Sequence, residues 1–118
     1  MDVVDLFLKL VSFDTTSNEE SETCPSTPNQ RVLGEELVRV MQSIGIADAH
    51  MDADGYVYGT VPANTGKKLP VMGLIAHMDT SPDASGANIR ARVTEPYAGG
   101  DVVLNEEKNI RLSPNEFE

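Results

Sequence analysis

A short uncharged run, Val71-Met72-Gly73-Leu74-Ile75-Ala76, dictates more of this chain's architecture than any other stretch. Pro70 bounds it upstream, and Thr80-Ser81-Pro82-Asp83 reads as a turn downstream. The run is too short for a helix, and its apolar side chains on both pleat faces predict a fully buried strand. The fold class that houses such a strand is α/β, where ligands gather outside the carboxyl ends of the strands. His77 and Asp79 stand at that end.

The rest of the chain reads as what surrounds this strand. Val3, Leu6, Phe7, Leu10 and Val11 recur at helical spacing and predict an amphipathic helix over about residues 2–11, packed on the sheet. Residues 12–22 are polar and predict a solvated loop, although its Asp14-Thr15-Thr16-Ser17 has the side chains to line a site. Thr27-Pro28-Asn29-Gln30 has the form of a capping box with proline at the first helical position. Leu33, Leu37, Val40, Met41 and Ile44 then form an apolar stripe, and Gly45 is a natural stop, so a helix is expected over about 28–44 with Glu35 and Glu36 solvated. Asp54-Gly55 between residues 47–52 and 56–61 predicts a hairpin. A polar loop, 62–68, leads into the apolar run. Beyond it, Ile89, Ala91 and Val93 alternate with polar residues as in a half-exposed strand. Residues 102–104 and 110–112 are short strand candidates, and the tail from Ser113 to Glu118 carries no pattern.

Length and charge narrow the function. The 118 residues make one domain, and a net charge of −10 argues against a nucleic-acid binder, which needs a basic face. No apolar run reaches the length of a membrane span, and the acidic N-terminus lacks a signal-peptide character, so a cytoplasmic location is expected. The single cysteine, Cys24, has no base or second thiol beside it and reads as an unpaired loop thiol. His50 has no ligand-like neighbour and reads as a surface or structural histidine.

His77 and Asp79 carry the chemistry. In extended backbone their side chains fall on the same side. One imidazole nitrogen is then free for a metal while the carboxylate accepts a hydrogen bond from the other, fixing tautomer and ring orientation. Taken alone, such a pair reads first as a local hydrogen bond and only second as a metal ligand. One ligand does not hold zinc, which takes about four donors.

The stretch Gly73-Leu74-Ile75-Ala76-His77-Met78-Asp79-Thr80-Ser81-Pro82-Asp83 resembles the first metal-ligand motif of the tripeptide aminopeptidases in the two-zinc aminoacylase/carboxypeptidase G2-like metallopeptidase family. Ser85-Gly86-Ala87-Asn88, Glu95-Pro96-Tyr97-Ala98-Gly99-Gly100-Asp101 and Val103-Leu104 follow in that family's order. Pro25-Ser26-Thr27 with Gln30, and Pro62-Ala63-Asn64, precede it in the same order, so the resemblance covers essentially the whole chain. The resemblance implies that His77 is a zinc ligand and that Asp79 is the catalytic-site carboxylate orienting it. It implies the N-terminal part of a zinc-exopeptidase-like mixed sheet flanked by helices, incomplete, with residues 1–118 forming one portion of the catalytic domain. Two zinc ions per complete site would serve to release the N-terminal residue of small peptides, and a homodimer of the full-length protein is allowed. The family's bridging aspartate, its Glu-Glu pair, a further aspartate and a final histidine match nothing here and are expected beyond Glu118, as is the lid and dimerisation domain. By itself this chain is therefore expected to be inactive. The competing readings are a non-catalytic binding domain that keeps the fold, and another metal-dependent hydrolase of the family, a dipeptidase or deacetylase.

Overall fold

The computed structural model describes residues 2–116; the part of the patternless tail at 117 and 118 lies outside the described residues. Helix α1 spans Val3–Leu10, and Asp2 caps it by accepting a 2.8 Å hydrogen bond from the Val4 amide. The helix lies where the spacing predicts, but it packs on no sheet and buries none of its residues. Leu6, Leu8 and Leu10 are half-buried, and Lys9 pairs with Glu36 of the second helix.

Helix α2 spans Pro28–Ser43, with proline in its first turn and the capping box formed between Thr27 and Gln30. It ends at Gly45, whose φ of 99° is the left-handed conformation that glycine adopts without a Cβ penalty. Leu33 and Val40 are buried. So is Glu36, contrary to the expectation of a solvated side chain. Glu36 lies three residues after Leu33 and four before Val40, on the same helix face, so burying the stripe carries it inward. Its carboxylate is met there by Lys9 and, at 2.9 Å, by Arg39. Hydrogen bonds from Lys9 and then Arg39 hold it below the ordinary carboxyl value of 4.5.

Two short strands, β1 (His50–Met51) and β2 (Val57–Tyr58), form the predicted hairpin, with His50 opposite Tyr58 and Met51 opposite Val57. Asp52 organises the turn by accepting from the amides of Asp54 and Tyr56 at 3.0 and 2.9 Å. The hairpin packs on α2, and Gly34 sets how closely. A Cβ at Gly34 would lie 2.5 Å from Met51 Sδ, so the bare backbone is what lets the hairpin approach. Ala49 completes the small buried apolar set with Leu33 and Val40. A second antiparallel pair, β3 (Val102–Asn105) and β4 (Ile110–Leu112), forms with a bulge between Val103 and Asn105, as the two candidate segments predict.

The run Val71–Ala76 is not a buried strand. It has no ladder partner among the described residues, and Val71 and Ile75 are both 99% exposed. Ile89–Val93 likewise has no strand partner, and both of its ends are exposed. The physical reason is common to both: an apolar run becomes a strand only where neighbours satisfy its backbone and cover its faces. The chain's surface of 9992 Å² compares with about 6,300 Å² for a compact monomer of its mass. Its radius of gyration, 18.2 Å, compares with about 13.5 Å for a compact domain of its length. The architecture is thus mixed α and β, two helices with two small antiparallel sheets, around a core confined to α2 and the first hairpin.

Candidate functional site

His77 and Asp79 come together at the end of the apolar run. Imidazole Nδ1 lies 3.1 Å from Asp79 Oδ1. A carboxylate only accepts, so Nδ1–H donates and the Nε2 lone pair is left for another partner. The two side chains are 84% and 47% exposed, which leaves Nε2 open to solvent.

The chain just beyond this pair, at Thr80, is anchored by the loop that polar composition alone marks as solvated. Thr15 is only 3% exposed, and Thr16 pairs with Thr80 in an isolated parallel bridge. The Thr80 amide donates to the Thr15 carbonyl at 3.2 Å, and the Thr80 carbonyl accepts from the Ser17 amide at 2.9 Å and the Ser17 hydroxyl at 3.0 Å. Thr16 Oγ1 donates to Asp14 Oδ1 at 2.6 Å and accepts from the Gly86 amide at 3.2 Å. Hydrogen bonds from the Thr16 hydroxyl and amide hold the Asp14 carboxyl below its ordinary 3.8. Gly86 is required here, since a Cβ would lie 2.6 Å from Thr16 Oγ1 and 2.8 Å from Asp14 Oδ1.

Helix α2 holds that loop in turn. Buried Gln30 donates from Nε2 to the Thr15 carbonyl at 3.3 Å, and the Thr27 hydroxyl donates to the Thr16 carbonyl at 3.1 Å. The local sequence signal for this was Asp-Thr-Thr-Ser itself: an aspartate that bonds its own backbone two residues on, followed by β-branched residues suited to extended pairing. Downstream of the pair, Ser81 donates to Asp83 Oδ2 at 2.7 Å and accepts from the Asp83 amide at 3.2 Å, so Asp83 braces the predicted turn.

An open groove of 880 Å³ separates residues 74–79 from α2 and the first hairpin, with Gln30, Leu37 and Met41 on its far wall. The remaining candidates lie apart from the pair's hydrogen bonds. Cys24, also on the groove, is exposed, with its thiol 3.4 Å from the Asp54 carbonyl. His50 stacks on Tyr58 with ring centroids 5.6 Å apart and bonds the Asp48 carbonyl at 2.9 Å, the structural histidine expected. Among the described residues, no three His, Cys, Asp or Glu side chains converge to hold a metal ion. His77, oriented by Asp79, fits one imidazole ligand and its outer partner, and the chain's described residues do not complete a coordination shell. No helix among the described residues is long and apolar enough to cross a membrane.

No family model matches the chain. Among curated proteins it is 52% identical over 117 residues to peptidase T of Parabacteroides distasonis, covering 99% of this chain and 29% of that protein. It is 48% identical to peptidase T of Brevibacillus brevis over 116 residues and 50% identical to that of Desulfitobacterium hafniense over 115, each covering 98% of this chain and 28% of the relative. The chain is thus similar to peptidase T along essentially its whole length, while spanning under a third of the length of these relatives.

Proposed function

We propose that this chain supplies one zinc ligand, His77, and its orienting carboxylate, Asp79, to a peptidase T-like tripeptide aminopeptidase that releases the N-terminal residue of small peptides. The observation that carries the reading is the His77 Nδ1 to Asp79 Oδ1 hydrogen bond of 3.1 Å, in a chain about half identical to peptidase T throughout. That bond commits the imidazole to the tautomer whose Nε2 faces outward as a donor to metal. Zinc, when bound, supplies a Lewis acid that polarises the scissile carbonyl and lowers the pKa of water. The chain's own contribution is to hold one imidazole in a fixed orientation, with the Asp79 charge making it a better ligand.

The finer architecture belongs to the same proposal: residues 1–118 are one portion of the catalytic domain, within a zinc-exopeptidase-like mixed sheet flanked by helices. The bare apolar surface of Val71, Leu74 and Ile75 supports it, because that surface calls for cover. The same exposure weighs against a self-sufficient binding module. Further ligands, a general base, a homodimer contact and a cytoplasmic setting are proposed for the whole enzyme.

The test is expression of the complete reading frame that contains this chain, with release of N-terminal residues from unblocked tripeptides as readout. Activity that chelator removes, zinc restores and His77→Ala abolishes is the expected result. Turnover independent of zinc, or undiminished in His77→Ala, would refute the assignment.

A further inference from the structure

The stretch bearing His77 and Asp79 is held from one side only. From residue 68 to 79 no backbone N–H or carbonyl has a hydrogen-bond partner among the described residues. The first anchored residue is Thr80, and the next tie is Gly86. Both ties run to the short segment 14–17.

We propose that Asp14 and Thr16 are positioning residues for the His77–Asp79 pair, acting through the main chain of Thr80 and Gly86. The inference deepens the reading of His77 as a ligand and rests on it. The mechanism is directional. Thr16 Oγ1 gives its only proton to Asp14 at 2.6 Å, so what it presents to the Gly86 amide at 3.2 Å is a lone pair. An ionised Asp14 therefore sets the polarity of the bond that holds Gly86. The same Oδ1 also accepts from the Thr16 amide at 3.2 Å, which keeps residue 16 in the conformation that pairs with Thr80.

Both main-chain groups of Thr80 are then occupied, and Asp79 is one peptide away. The clasp is also rooted in the core. The carbonyls of Thr15 and Thr16 accept from Gln30 and Thr27, so segment 14–17 moves only if the start of α2 moves. Gln30 is 5% exposed, and a buried amide that loses its partner is costly, which resists such movement. Among the described residues Asp14 and Thr16 hydrogen-bond to neither His77 nor Asp79, so their effect on the pair is one of placement.

The experiment compares the ¹⁵N-labelled chain with Thr16→Val, Thr16→Ser and Asp14→Asn at fixed neutral pH. Three signals are read: amide exchange at Thr80 and Gly86 with Val40 as the α2 reference, imidazole ¹⁵N shifts of His77 with His50 as internal reference, and the response of each histidine to added zinc chloride. Valine keeps the shape of threonine and removes the hydroxyl. It should speed exchange at Gly86 and Thr80 about fivefold, the loss of one net hydrogen bond, and leave Val40 unchanged. His77 nitrogen shifts should move toward those of a free imidazole while His50 stays still. Zinc association at His77 should fall about threefold, short of the roughly 10- to 100-fold cost of removing a direct outer partner. Thr16→Ser should restore every signal, and Asp14→Asn should fall between. Faster exchange at Thr80 and Gly86 with unmoved His77 nitrogens would make the clasp merely structural and overturn the proposal, as would unchanged exchange in Thr16→Val. Should Val40 also exchange faster, Asp14→Asn carries the same comparison. In the complete protein, zinc content undiminished by His77→Ala would sink the zinc reading alone, and the imidazole shifts would still decide the placement.

Discussion

Ile75 is 99% exposed, so truncating it to alanine removes carbons that water already covers. A buried strand at 71–76 would make Ile75→Ala a cavity mutation costing about 2–5 kcal/mol. At a surface position the change should stay within about 0.5 kcal/mol of zero. Leu33→Ala is the matched control. Leu33 is 6% exposed and stands in a core where the other buried apolar side chains are Val40 and Ala49. Surroundings that sparse can collapse into the space left, which places the expected cost at the low end, about 2–3 kcal/mol. Urea melts followed by far-UV circular dichroism, which reports α1 and α2, read both. With a slope of about 1 kcal/mol per molar urea, Leu33→Ala should lower the midpoint by about 2 M, and Ile75→Ala by less than about 0.5 M. An Ile75→Ala loss exceeding about 1 kcal/mol would mean that the run is buried in solution, and the account of an uncovered segment would fail.

The 118-residue chain alone should show no turnover of an unblocked tripeptide with zinc present, because no three metal-ligating side chains converge among its described residues; chelator-sensitive release absent from His77→Ala would contradict this. In the complete protein, the proposed role of Asp79 predicts that Asp79→Asn cuts peptidase activity far more than it lowers the melting midpoint, since an amide replaces the hydrogen bond but not the charge; wild-type turnover and zinc content would reduce Asp79 to a turn residue. Glu36→Gln should free α1, whose link to α2 is Lys9, and limited proteolysis should then cut at residues 3–11 while α2 stays protected; an unchanged cleavage pattern counts against it. Asp14, Glu36 and Asp48 sit below their ordinary values of 3.8, 4.5 and 3.8, so the unfolded chain binds their protons more readily. Their contribution should be complete above about pH 5 and drain away as pH falls past the unfolded values and through the lower folded ones; a urea midpoint that does not drop over that interval would exclude the effect.

Elements with a local chemical signature were legible in the sequence. Thr27 and Gln30 announce the start of α2, Asp54-Gly55 the first hairpin, and the two short apolar segments at 102–104 and 110–112 the second. The His77–Asp79 pair was legible because side chains two residues apart in extended backbone fall on the same side. What escaped depends on partners. The apolar run states a need for cover but cannot name what covers it, and no strand among the described residues pairs with it. Asp14-Thr15-Thr16-Ser17 signals extended pairing, but its partner, Thr80, lies more than sixty positions away and nothing local names it. Glu36 was legible in principle, since its spacing from Leu33 and Val40 puts it on the buried face with Lys9 available as counter-charge.

The long span of the clasp has a kinetic consequence. Its bonds join residues 63 and 70 positions apart, whereas Gln30 reaches Thr15 across only 15. Loop-closure entropy grows with the logarithm of length, which makes the longer closure about 1.2 kcal/mol more costly than the shorter. The platform of α2 with segment 14–17 therefore assembles early from near neighbours, and Thr80 docks onto it late. The last bonds formed are also among the first to open, so the His77–Asp79 pair is placed at the end of folding and released at the start of unfolding.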